Sequence, residues 1–142
     1  MRVRAFVDTN VLIRHLTGDP PDLAARATRF LREADEQLLA DLIVAEVVYV
    51  LESFYELERS RVAELVRAIV AFEAIRVVDE GLLLRAVEVY ELDRLDFAEA
   101  YLVASAERSA VGVVASFDRS IDRVATVVRL EPPKAPPGDP RA

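Results

Sequence analysis

Apolar residues recur along this chain in two rhythms, as short unbroken runs and as longer stretches with helical spacing. Val3–Val7 is the first such run and predicts a strand, which must stop at Asp8-Thr9-Asn10. Helical spacing starts at Val11 (Val11, Leu12, Leu16) and ends before Gly18-Asp19-Pro20-Pro21. A second helix is predicted from Asp22 to Ala34, with Leu23, Ala27, Phe30 and Leu31 on one face. Leu38–Ala40 reads as a short strand, Asp41 as an N-cap, and Leu42 to Leu57 as a strongly apolar helix. The pattern then predicts a helix over Arg61–Glu73, a strand over Ile75–Val78 and a helix from about Glu80 to Leu92. Phe97–Ser109 follows as a helix, Val111–Ala115 as a strand, Arg119–Val124 as a helical turn and Val127–Leu130 as the last strand.

Short apolar strands separated by helices predict an α/β fold. The expected architecture is a three-layer α/β/α sandwich around a mostly parallel five-stranded sheet. Residues 1–131 are expected to form one domain, and 132–142, which hold five of the seven prolines, a flexible tail. A chain of 142 residues is long enough to bury a core, and 53% hydrophobic content excludes disorder. No apolar run approaches the roughly 18 residues of a membrane span, so no membrane association and a soluble, cytoplasmic domain are expected.

Composition narrows the chemistry. With no Cys, disulfides, thiolate metal sites and cysteine nucleophiles are excluded. Lys134 is the only lysine, against seventeen arginines, and lies in the tail, which leaves P-loop and Schiff-base chemistry without a residue. His15 is alone, so His-pair metal sites are excluded too, and a structural role is expected for it. The net charge of −7 argues against a broad nucleic-acid-binding face. Arg14, Arg26, Arg29 and Arg32 could nonetheless meet a phosphate backbone locally.

Acids are what remain. The carboxyl edge of a parallel sheet is where such folds place ligands, and acids fall repeatedly near it. Asp8 follows the first strand, Glu46 sits in the second turn of the helix after the second, and Asp118 lies just beyond Ala115. Asp96 and Glu99, spaced i,i+3, open the helix before the fourth strand. Glu46 stands in Leu-Ile-Val-Ala-Glu-Val-Val-Tyr-Val-Leu and is expected to be substantially buried. Each acid has a plainer explanation: a cap for Asp8 and Asp96, an arginine partner for Glu46, an exposed first-turn acid for Glu99, a turn for Asp118.

As a group they imply more. Two like charges about 4 Å apart repel by roughly 4 kcal/mol at an effective dielectric near 20. Three or four carboxylates in a pocket therefore call for a cation, and an all-oxygen set suits Mg²⁺ or Mn²⁺. Such ions serve phosphodiester hydrolysis.

These residues together resemble the PIN domain, and more closely the VapC-type toxins of toxin–antitoxin pairs. The likeness spans about residues 3 to 130. It rests on Asp8-Thr9-Asn10-Val11-Leu12, on Ala45-Glu46-Val47-Val48-Tyr49-Val50-Leu51, on Asp96-Phe97-Ala98-Glu99-Ala100-Tyr101-Leu102 and on Ser116-Phe117-Asp118-Arg119. The chain departs from the pattern at Glu99, where the family usually has Asp, so Asp96, Glu99 or both would supply the third acid. The resemblance implies an Mg²⁺-dependent endoribonuclease of single-stranded RNA, often a homodimer, held inactive by an antitoxin protein. Asp8, Glu46, Asp96, Glu99 and Asp118 would hold metal and activate water, with Thr9, Asn10 and Ser116 as polar support. The competing expectation is a PIN-like module that binds RNA or protein without catalysis. A haloacid-dehalogenase-like phosphatase also begins with Asp after a strand, but Asn10 and a tail lysine argue against it.

Overall fold

The computed structural model describes residues 3–135, 138, 140 and 141. Strand β1 (Arg4–Phe6) leads into α1 (Thr9–Thr17) and α2 (Pro21–Glu33), followed by β2 (Glu36–Leu38), α3 (Asp41–Ser53) and α4 (Arg59–Val70). Next come β3 (Ile75–Arg76), α5 (Glu80–Leu92), α6 (Phe97–Arg108), β4 (Val113–Ala115), a 3-10 turn (Arg119–Arg123) and β5 (Val128–Leu130). The predicted order of elements is thus observed. All strand pairings are parallel.

The expected single five-stranded sheet is not formed. Among the described residues, β1, β2 and β3 make one sheet in that order, and β4 pairs with β5 in a second. Strands of two or three residues expose few backbone groups for pairing, and no ladder joins β1 to β4. On β1, β4 and β5 the central residue is the more buried, while Phe6, Val113, Val128 and Leu130 are exposed. The helices therefore cover only one set of alternating positions on those strands. The reading of 132–142 as a tail falls partly outside the described residues.

Helix ends follow local chemistry. Gly18 closes α1 in the left-handed region (φ 71°), a conformation strained for a side-chain-bearing residue, and its N–H bonds the Arg14 carbonyl at 2.9 Å. Pro21 starts α2, where its missing N–H costs nothing. The expected Asp41 cap is replaced by Ala40, which makes no side-chain cap bond; Asp41 is the first residue of α3. Leu12, Leu31, Leu39, Leu51, Leu83 and Ile121 are almost wholly buried and tie α1, α2, α3, α5 and the 3-10 turn into one core. At roughly 1.5–3 kcal/mol per buried aliphatic side chain, this core fixes where each strand and helix ends, and so where the acids are presented.

Candidate functional site

Asp8 and Glu46 meet through a single hydroxyl. Asp8 is the N-cap of α1 and accepts the Thr9 backbone N–H at 2.8 Å, so the plain capping role is realised. Thr9 is buried, and its hydroxyl donates to a Glu46 carboxylate oxygen at 2.8 Å across 37 residues of sequence. One residue therefore holds both acids, the first by its backbone and the second by its side chain. Contact between α1 and α3 makes this possible.

Glu46 itself is exposed, against expectation. Its apolar neighbours divide between the core (Val44, Val47, Val48, Leu51) and an outward stripe on which Leu42 and Tyr49 are 78% and 69% exposed. Apolar sequence on both sides of the helix gave a false sign of burial. Exposure spares the carboxylate a desolvation cost and leaves its second oxygen available. Among the described residues, Glu46 forms no arginine ion pair.

Asp96 and Asp118 sit on neighbouring turns. Asp96 is the N-cap residue of α6 but makes no side-chain cap bond, so its carboxylate is not consumed by capping. The loop before it is tied down twice. Arg59 on α4 donates to the carbonyls of Tyr90 (2.8 Å) and Leu95 (2.5 Å), and stacks 4.5 Å from the Tyr90 ring centroid. Arg123, in the 3-10 turn, donates to the Arg94 carbonyl at 3.0 Å. That turn is capped by Asp118, which accepts the Ser120 N–H at 2.9 Å. Ser116 accepts the Asp118 N–H at 2.9 Å, so its support is to the turn. The bond from the Ser120 backbone, helped by the Ser120 hydroxyl and by Arg123 and Arg129, holds the Asp118 carboxyl below its ordinary value. Glu99 is half-exposed in the first turn of α6.

The arrangement is partly assembled. Asp8 and Glu46 are joined through Thr9, and the Asp96 and Asp118 turns are linked through Arg123. Among the described residues, no three carboxylates converge closely enough to form a ready cage for a metal ion. The donor chemistry still suits a hard divalent cation, since every candidate ligand is a carboxylate oxygen and two are held to one anchor.

Asn10, expected to brace Asp8, is exposed and lines a cleft between α1 and α2 instead. His15 is half-buried, bonded to Thr28 at 2.8 Å and edge-on to Phe72, the structural role expected of it. Arg59 had no sequence signal, because it lies 36 residues before the carbonyl of Leu95 that it grips. Tyr101 donates to Asp41 and so fastens α6 to the start of α3; that bond pushes the phenol up to about 12.

A family model described as the PIN domain matches residues 5–127, a span that contains all five candidate acids. The chain belongs to the PIN domain family. PIN domains are nucleases, generally metal-dependent, that act on RNA. A search of curated proteins found no match. No helix among the described residues is long and apolar enough to cross a membrane.

Proposed function

We propose that the chain is a divalent-metal-dependent endoribonuclease that hydrolyses phosphodiester bonds in single-stranded RNA. The observation that carries this reading is the fastening of Asp8 and Glu46 to Thr9, which brings two carboxylates from distant parts of the chain to one point. Asp8 and Glu46 would hold Mg²⁺ or Mn²⁺, with Asp96 or Glu99 and Asp118 completing the set of oxygen ligands. The bound ion would supply Lewis-acid activation of water and of the phosphoryl oxygen. Thr9 keeps Glu46 oriented, Ser120 holds Asp118 in place, Arg123 ties that turn to the Arg94 carbonyl, and Arg59 fixes the Asp96 loop. The test is cleavage of single-stranded RNA by nuclease-free protein with Mg²⁺ or Mn²⁺. Asp8→Asn should lose that activity; no cleavage by the natural chain contradicts the proposal.

The likeness to VapC-type proteins supports a finer reading as the toxin of a toxin–antitoxin pair, acting as a homodimer. Growth arrest on expression, relieved by co-expressing a small partner protein, is the expected outcome. A non-catalytic RNA- or protein-binding module is the second reading, favoured by Glu99 and by the lack of a ready three-acid group among the described residues. Calorimetric titration with Mn²⁺ separates them: a non-catalytic module shows no carboxylate-dependent binding.

A further inference from the structure

A cleft of about 440 Å³ lies between α1 and α2, starting at Asn10, two residues after Asp8. Arg14, Arg26 and Arg29 line it, with Glu33 as its one acid and Phe30 as its one aromatic. Arg29 also lines the adjoining cleft together with Arg32. Arg26, Arg29 and Arg32 are each three residues apart, so they run as a stripe along α2. Arg26, Arg29 and Arg32 are exposed and Arg14 half-buried.

Among the described residues, these guanidinium groups are gathered on one concave surface without acidic partners of their own. Arg4, Arg61, Arg67, Arg85, Arg108 and Arg129 are each ion-paired. Arg14, Arg26 and Arg29 form neither an ion pair nor a side-chain hydrogen bond among the described residues. In a chain of net charge −7 with 25 acids, acidic partners are plentiful, yet these cations are left facing a concave surface. Like-charged side chains gathered beside one another are stabilised by a polyanion. Guanidinium forks match the paired oxygens of a phosphodiester, and a half-exposed phenyl ring offers a face on which a base can stack.

We propose that the α1–α2 cleft is the track for the RNA backbone, with Arg14, Arg26 and Arg29 on successive phosphates and Phe30 against a base. The track leads the strand toward Asp8 and sets a local cluster of positive charge on an acidic protein. This inference rests on the nuclease reading for its choice of RNA, and its test separates the two.

Binding of a fluorescein-labelled single-stranded oligoribonucleotide is measured by anisotropy in EDTA, where no cleavage occurs. The Arg14→Gln/Arg26→Gln/Arg29→Gln variant should bind at least about tenfold more weakly. Its slope of log K against log salt should fall by about 2, since each phosphate left without its arginine lowers the slope by roughly 0.7. Arg61→Gln, which removes a paired charge on α4, should change affinity less than about twofold. Circular dichroism and Mn²⁺ affinity of the triple variant should match the natural chain. If the triple variant binds RNA as the natural chain does, the track is overturned, whether or not the natural chain cleaves. If RNA binding depends on these arginines while the natural chain fails to cleave, the track stands and the nuclease reading falls. Competition by poly-glutamate as strong as that by poly-uridylate, at equal charge, would assign the cleft to an acidic protein surface and overturn the proposal.

Discussion

Thr9 carries more of the site than its size suggests. Its amide steadies Asp8 and its hydroxyl steadies Glu46, both at 2.8 Å. Removing a partner that orients a metal ligand typically costs about 10–100-fold in metal affinity or activity. Thr9→Val, which keeps the shape and loses the hydroxyl, should weaken Mn²⁺ binding by about that factor in calorimetry, while Thr9→Ser retains it. Equal affinity for Thr9→Val would show that the Glu46 contact is incidental. At this scale the sequence displayed the acids clearly but not their surroundings. Glu46 stood out as one charge in an apolar run, yet the run extends round to the exposed stripe of Leu42 and Tyr49, so burial did not follow. The family resemblance implied Asn10 as polar support beside Asp8; the first turn of α1 sets it in the cleft facing α2.

Between elements, polar anchors decide how the acidic turns are presented. Arg59 joins α4 to the loop ahead of α6, and Arg59→Ala would strip a charged donor from two carbonyls. A loss of about 1.5–3 kcal/mol in denaturant unfolding is expected, along with reduced cleavage from a loosened Asp96. Arg85 on α5 grips Glu107 on α6 through two bonds, at 2.8 and 3.0 Å. These bonds to Arg85, aided by the Thr126 hydroxyl, lower the Glu107 carboxyl below its ordinary 4.5. The folded value lies below the unfolded one, so this stabilisation is present above about pH 4.5 and is lost as pH falls through the folded value. Thermal unfolding between pH 3 and 7 should show Glu107→Gln less stable than the natural chain near neutrality, with the difference shrinking on acidification. A difference that is independent of pH would contradict the linkage. Periodicity located helix α5 at its observed ends, since Asp79 caps it where the pattern begins. It misplaced β2 by two residues, because Glu36 and Gln37 are polar: one pairs with Arg4 across the strands and the other is buried.

For the molecule as a whole, the core holds the frame on which the turns depend. Leu83 is wholly buried, and Leu83→Ala should cost about 2–5 kcal/mol by equilibrium unfolding. The alternation of strands and helices was legible because each strand lies in or beside a short apolar run bounded by turn residues. Whether five strands close into one sheet was not, because that depends on backbone pairing between β1 and β4, which side-chain pattern does not encode. The net negative charge of the chain does not reveal the arginines gathered in the α1–α2 cleft, which composition alone averaged away. The central claim is that acids from separate elements act together on RNA. It is tested most directly by Mn²⁺-dependent cleavage of single-stranded RNA by the natural chain, Asp8→Asn and Glu46→Gln, each shown to be folded. Cleavage by the natural chain, abolished by chelation and reduced at least about a hundredfold in both variants, is the predicted result. Equal cleavage by all three, or none by the natural chain, would contradict it.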